Sequence, residues 1–260
     1  MNILEKIFAD KKNEVALRKS LIPVSQLEQS VLFNRDCPSL SARLKESQTG
    51  IIAEHKRRSP SKSIINHGLN VDQVAVGYQE AGVCGMSVLT DGKYFGGSLD
   101  DLLLARASVS IPLLRKEFIL DSYQIIEAKA YGADVVLLIA AILDQQEIKA
   151  LSETAKSIGL EVLLEVHNEE ELQKSIMPSI DLLGVNNRNL KNFEVSLDTS
   201  KSLAKLIPDE FVKVSESGIS TTDAIKELQP FGFKGFLIGE NFMKTDHPGN
   251  SAKSFISELL

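Results

Sequence analysis

The chain is poor in cysteine: Cys37 and Cys84 are its only two, far apart and in no CxxC pair. That pattern excludes a disulfide framework and a thiolate zinc site, and two reduced thiols fit a cytoplasmic protein. Long apolar stretches are also missing. The longest run, Val135 to Leu143, is nine residues between Asp134 and Asp144, less than half of the ~20 needed to span a membrane. The N-terminus carries Glu5, Lys6, Asp10, Lys11 and Lys12 without an apolar core, so no secretory signal peptide is expected. Basic residues are outnumbered, with 29 Lys and Arg against 35 Asp and Glu and a net charge of −6. A chain of that sign is a poor ligand for a phosphate backbone, so neither nucleic acid nor a membrane is expected as a partner. It leaves room for a local basic pocket facing a small anion. No low-complexity segment or Pro/Gly/Ser linker divides the chain.

What is present is enough apolar material for a core. Of 260 residues, 43% are hydrophobic and 25% charged, which excludes wholesale disorder and removes any need for covalent or metal staples. The first 48 residues read as helical. Ile3, Leu4, Ile7 and Phe8 recur at helical spacing and Val15 and Leu17 extend the pattern, followed by helices over Val24–Leu32 and Leu40–Glu46. From Ile51 onward short apolar runs alternate with amphipathic segments. Strands are expected at Ile51–Lys56, Gly85–Leu89, Leu113–Phe118, Val135–Ile139, Glu161–Val166, Leu182–Val185, Phe211–Ser215 and Gly235–Ile238. Helices are expected at Val71–Ala81, Ser122–Tyr131, Gln145–Ile158, Glu169–Ser175, Thr199–Leu206 and Thr222–Leu228, several closed by a glycine (Gly82, Gly132, Gly159). This rhythm predicts an α/β protein, a parallel (β/α)8 barrel of the TIM type, with residues 49–260 as barrel and residues 1–48 as a helical extension packed on it, one domain overall. An open doubly wound sheet is the rival, but no GxGxxG opens the first strand–helix turn.

In such a barrel the active site lies at the C-terminal ends of the strands, so polar residues there are the candidates. Alternation puts Glu54 and Lys56 on one face of the first strand and Ala53 and His55 on the other. His55 is therefore expected as a satisfied core or boundary histidine on the helix side. Lys116 shares its face with Leu114 and Phe118, and Glu165 stands among aliphatics. The later strands end in Asn186-Asn187-Arg188, Glu216-Ser217-Gly218 and Ile238-Gly239-Glu240. Any one of these polar residues can simply reach water. Converging on one mouth, they make a set suited to acid/base chemistry on an anionic substrate. Gly218 and Gly239, in the loops after the seventh and eighth strands, would let backbone N–H groups approach a phosphate, and Ser59 and Ser61 could add hydroxyl donors.

These residues carry a resemblance that spans the barrel. The stretch Ala53-Glu54-His55-Lys56-Arg57-Arg58-Ser59-Pro60-Ser61-Lys62 resembles the first-strand motif of the indole-3-glycerol-phosphate synthase family of tryptophan biosynthesis. In order follow Ser87-Val88-Leu89-Thr90-Asp91, Tyr94-Phe95-Gly96-Gly97-Ser98, Leu114-Arg115-Lys116-Glu117-Phe118-Ile119 and Leu163-Leu164-Glu165-Val166-His167. The last blocks are Gly184-Val185-Asn186-Asn187-Arg188-Asn189-Leu190, Ser215-Glu216-Ser217-Gly218-Ile219 and Leu237-Ile238-Gly239-Glu240. Ser63 departs from the glycine usual after Ser61-Lys62, and His55 from an aliphatic.

The resemblance implies a cofactor-free, metal-free carboxy-lyase. Its substrate would be 1-(2-carboxyphenylamino)-1-deoxyribulose 5-phosphate and its products indole-3-glycerol phosphate, CO2 and water. It implies Lys116 as general acid, Glu165 as second acid/base, Glu54 and Lys56 as a further catalytic pair, Asn186 as a polar orienter, and Ser217 with them. Phe95, Phe118, Leu137 and Leu190 would wall the aromatic ring. Leu237, Ile238, Gly218, Gly239 and Glu240 would line the substrate, and Arg188 would approach the anthranilate moiety. Which of Lys56, Arg188 and Ser59 meets the carboxylate and which the phosphate stays open. The expected partner is a small phosphorylated substrate, and the expected state a monomer. Phosphoribosylanthranilate isomerase and a non-catalytic barrel are the alternatives; neither accounts as well for two inward lysines.

Overall fold

The computed structural model describes residues 3–60, 62, 64–190 and 192–260. Ser61 and Ser63, singled out above, lie outside the described residues. Three helices come first: α1 (Ile3–Leu21), α2 (Val24–Leu27) and α3 (Leu40–Glu46). The repeat then begins with β1 (Ile51–His55), α4 (Val71–Ala81), β2 (Gly85–Leu89), α5 (Gly92–Phe95), α6 (Leu99–Ser108), β3 (Leu113–Lys116) and α7 (Ser122–Ala130). It continues with β4 (Val135–Ile139), a 3-10 turn (Ala140–Ile142), α8 (Gln145–Ser157), β5 (Glu161–Val166), α9 (Glu169–Gln173) and β6 (Leu182–Asn186). It closes with α10 (Asp198–Ala204), β7 (Val212–Glu216), α11 (Thr222–Leu228), a second 3-10 turn (Gln229–Phe231), β8 (Phe233–Ile238), α12 (Glu240–Met243) and α13 (Pro248–Ser257).

The eight strands form one closed parallel barrel in chain order, with β8 pairing back onto β1. Being covered on both faces, the strands read as near-continuous apolar runs. Alternation divides them. Ile52, Leu114, Leu137, Leu163, Leu182, Val214 and Leu237 fill the interior, while Ala53, Val88, Val136, Leu164, Val185 and Ile238 pack against the helices. No helix among the described residues is long and apolar enough to cross a membrane.

The N-terminal helices close both ends of the barrel. α3 seals the bottom, where Leu40 and Leu44 join the interior cluster. They need close approach to the strands: a Cβ on Gly85 would lie 2.7 Å from Leu40, and one on Gly235 3.1 Å from Leu44. The start of α3 is held by Glu161 at the foot of β5. Its carboxylate accepts from the hydroxyls of Ser39 and Ser41, both at 2.6 Å, and from the backbone N–H of Leu40 at 2.8 Å and Ser41 at 3.0 Å. These are donors that a helix start leaves without partners. α1 lies at the other end, pinned by the buried ammonium of Lys11, which sits 2.9 Å from Asp91 and 3.1 Å from Glu117.

Several boundaries differ from expectation for local reasons. β1 stops at His55 because the next loop folds back, with Ile65 and Asn66 donating to the Arg57 carbonyl. β3 stops at Lys116 because the Glu117 carboxylate takes the Phe118 N–H at 2.9 Å. β6 runs on to Asn186, which pairs with Glu216. β7 starts one residue late, after a turn in which Phe211 bonds to Pro208, and β8 starts two residues early, at Phe233. α2 is only one turn, since Gln29, Ser30 and Phe33 donate to the carbonyls three residues back, those of Gln26, Leu27 and Ser30, and the chain there runs as turns. Periodicity does not single out α5, α6, α12 or α13. His55 is 1% exposed, but it is not satisfied as expected: its Nε2 has no hydrogen-bond partner among the described residues. Burial foremost, and then Arg57, push its pKa down to about 4; the neutral ring is what can be buried without a partner.

Replacing Glu161 by alanine should remove the anchor of α3 and destabilise the fold by about 2 kcal/mol, the scale of hydrogen bonds to a charged group. Urea unfolding of Glu161→Ala against the parent protein measures this; an unchanged midpoint would show that α3 is held by its leucines alone.

Candidate active site

Alternation along the strands brings the polar ends to one place. Glu54 on β1, Lys116 on β3, Glu165 on β5 and Glu216 on β7 follow the interior residues Ile52, Leu114, Leu163 and Val214 by two, and Asn186 on β6 follows Leu182 by four with Gly184 between, so all five point into the barrel mouth. Lys116 Nζ is 2.6 Å from Glu216 Oε2 and 3.5 Å from Glu54 Oε2. The other Glu54 oxygen is 2.7 Å from Lys56 Nζ. Asn186 donates to Glu165 at 3.1 Å, and its own carbonyl accepts the backbone N–H of Arg188 at 3.0 Å.

The electrostatics follow from this packing. Burial works against the charge on Lys116, but Glu216, Glu54 and Glu165 outweigh it and raise its pKa above the ordinary lysine value. Burial also opposes ionisation of Glu54, and there the two lysines win and hold it below the usual carboxylate range. Glu216 goes the other way. Burial first, then the negative charges of Glu165 and Glu54, push it up to about 7 despite Lys116. The cluster thus keeps its lysine charged and leaves one carboxyl ready to hold a proton.

A cavity of about 360 Å³ opens over this cluster. Every described residue that the resemblance implies for the site borders it. Glu54, Lys56, Lys116, Glu165, Asn186 and Ser217 give its polar floor and side. Phe95, Phe118, Leu137, Leu190 and Leu237 give an apolar wall, with the Phe95 and Phe118 rings 6.0 Å apart. Ser59, Arg188, Gly218, Ile238, Gly239 and Glu240 lie along it with them. Ser217 and Gly218 have φ of 66° and 79°, consecutive left-handed residues that bend the β7 loop over the cavity. A Cβ on Gly239 would collide with the Glu54 carboxylate, so only glycine fits there. The Glu240 side chain is paired with Lys62 at 2.7 Å, which leaves its backbone as the part free to meet a ligand.

Three contributions have no role in the sequence expectations. Glu216 is placed at the mouth by its position two residues after Val214, but neither alternation nor the resemblance gives it a role. Ile3, Leu4 and Ile7 of α1 also line the cavity; their helix is legible, its docking place is not. Asn241 and Lys244, on and just after α12, line it too and carried no signal.

Glu216 makes a pH prediction. Between the ordinary glutamate value of 4.5 and about 7, the folded chain holds a proton that the unfolded chain has released. Its contribution to stability therefore falls as pH rises through that window. Glu216→Gln should flatten that part of the curve of unfolding free energy against pH; an identical slope in the variant would assign the proton elsewhere.

Comparison with known proteins identifies the family. The family model described as indole-3-glycerol phosphate synthase matches residues 4–255. Curated proteins of that name are similar over almost their whole length. One from Bacteroides thetaiotaomicron is 46% identical over 258 residues, covering 99% of both chains. One from a Polaromonas species is 43% identical, covering 95% of this chain and 96% of its own. One from Campylobacter jejuni is 39% identical, covering 98% and 100%. Among solved structures, 3-hexulose-6-phosphate synthase from Salmonella typhimurium shares the fold at 14% identity and a TM-score of 0.63, over 81% of this chain and 98% of its own. Thiamine phosphate pyrophosphorylase from Pyrococcus furiosus does so at 16% identity and 0.60, over 82% and 98%. With a family model covering almost all of its length and relatives well above 30% identity, the chain belongs to the indole-3-glycerol phosphate synthase family.

Proposed function

We propose that the chain catalyses the reaction its family is named for. That reaction closes the ring of 1-(2-carboxyphenylamino)-1-deoxyribulose 5-phosphate and releases CO2 and water to give indole-3-glycerol phosphate. The observation that carries this reading is the Lys116 ammonium, held between Glu216 and Glu54 beside an apolar-walled cavity.

In the first step the ring carbon bearing the carboxylate attacks the ketone carbon. The ketone oxygen gains negative charge and takes a proton from Lys116, whose ammonium also polarises the carbonyl beforehand. CO2 then leaves and its bonding pair restores the aromatic ring. The apolar wall of Phe95, Phe118, Leu137 and Leu190 supports this step, since a carboxylate leaves more readily from a dry surrounding. The new hydroxyl departs as water with a proton from Glu165, which recovers one from the neighbouring carbon as the double bond forms. Asn186, bonded to Glu165, orients that carboxyl, and Lys56 balances Glu54. The planar fork of Arg188 suits the anthranilate carboxylate. The backbone of Ser217, Gly218, Gly239 and Glu240 would receive the phosphate. Neither metal nor organic cofactor enters the scheme, and the proposed working form is a cytoplasmic monomer.

Growth of indole fluorescence on adding the carboxyphenylamino-deoxyribulose phosphate tests the reading. A folded protein that gives no product, or that turns over phosphoribosylanthranilate instead, overturns it. Lys116→Ala should lower kcat by about 10²-fold or more while the far-UV spectrum stays that of the parent; undiminished turnover would remove Lys116 from the role of acid.

A further inference from the structure

Glu165 has a neighbour that the scheme above does not use. His167 follows it by two residues, and its ring is held from behind by α9. Glu171 Oε2 accepts the His167 backbone N–H at 2.8 Å and lies 3.0 Å from Nδ1. Burial raises the pKa of Glu171, but the hydrogen bond and charge of His167 outweigh it and hold that carboxyl below its ordinary value. An ionised carboxylate cannot donate, so the proton between the two sits on Nδ1. Only Nε2 is then free to change state. It is buried and has no hydrogen-bond partner among the described residues, yet it faces Glu165 Oε1 at 3.4 Å.

Two lone pairs facing each other in a buried site repel, and a buried nitrogen left without a partner is costly. One proton between Nε2 and Oε1 removes both penalties. We propose that His167 is a positioning partner of Glu165 which holds the proton that Glu165 gives and takes during turnover. The inference rests on the reading of Glu165 as the second acid/base. The transfer balances without any other reactant. Protonated His167 passes its Nε2 proton to the Glu165 carboxylate, which delivers it to the departing hydroxyl. Glu165 then takes a proton from the substrate carbon and returns it to Nε2. The pair carries the same net charge before and after each internal transfer.

The surrounding charges support the protonated form. The groups facing the ring are Glu171 from α9, Glu165 from β5 and, farther off, Glu216 from β7; although burial opposes them, together they raise the His167 pKa. β4, β6 and the 3-10 turn Ala140–Ile142 carry no titratable side chain. A raised histidine value means that the proton store is full at low pH and empties as pH rises, so it sets an alkaline limb in kcat.

The test is kcat and KM against pH for the intact chain and three variants, each checked for folding by circular dichroism. His167→Gln can still donate toward Glu165 but cannot take up or release a proton. It should lower kcat by about 10-fold or more, keep KM within about twofold, and lose the alkaline limb. Glu171→Gln keeps the ring and removes one charge that raises it, so the limb should move to lower pH; if His167→Gln fails to fold, this shift decides, and its absence counts against the proposal. Glu165→Gln separates the two readings. If it is inactive while His167→Gln keeps parental kcat and profile, the role of His167 falls and that of Glu165 stands. If Glu165→Gln turns over normally, both fall together.

Discussion

A lysine ammonium inside a barrel of aliphatic side chains is the interaction on which the site depends. Removing such a charge from water is expensive, and only close opposite charges make it tolerable. Here β1 and β7 supply Glu54 and Glu216 to Lys116 on β3. Three strands must therefore close in register before the ammonium has its partners, and the barrel does this through continuous parallel pairing from β1 round to β8. The same closure that buries the aliphatic interior gives the ammonium its partners.

The charge count of the cluster shapes what the site can do. Glu54, Glu165 and Glu216 face Lys56 and Lys116, so carboxylates outnumber lysines by one. The surplus appears where burial is deepest, on Glu216, as a carboxyl that keeps its proton toward neutrality. The site can thus hold a proton as well as a fixed field, which suits the proposed reaction, in which protons move on and off oxygen and carbon in turn. The negative surface of the whole chain says nothing of this, because the basic residues that matter are gathered in the mouth.

Much of this arrangement was legible in the sequence because strand alternation is a rigid rule. Once Leu114 is placed inside, Lys116 must be inside as well; the same holds for Leu163 and Glu165. Glu216 obeys the rule too, and its place at the mouth follows from Val214, but its role as partner of Lys116 does not. The strand ends were less legible, since they are set by single side chains, as where Glu117 turns to hold its neighbour's backbone and stops β3. The helix α6 was obscured by the unbroken run Leu102-Leu103-Leu104, two of which face solvent. Least legible was where α1 would dock. Its apolar spacing says that it buries one face, but what it buries that face against depends on Lys11 meeting Asp91 and Glu117, partners that nothing local connects to it.

That last contact bears on the order in which the molecule can assemble. α1 precedes the barrel in the chain, yet the carboxylates that receive Lys11 belong to the ends of β2 and β3, far downstream. A lysine that is 2% exposed has no stable place until those strands exist. The helix can therefore be seated only late, with a large loop to close before its contacts reward it. Until it is seated, Asp91 and Glu117 remain hydrated and the wall formed by Ile3, Leu4 and Ile7 is open. The rim of the cavity is thus among the last parts of the fold to become native, and local loosening of α1 would open the pocket without unmaking the barrel beneath it.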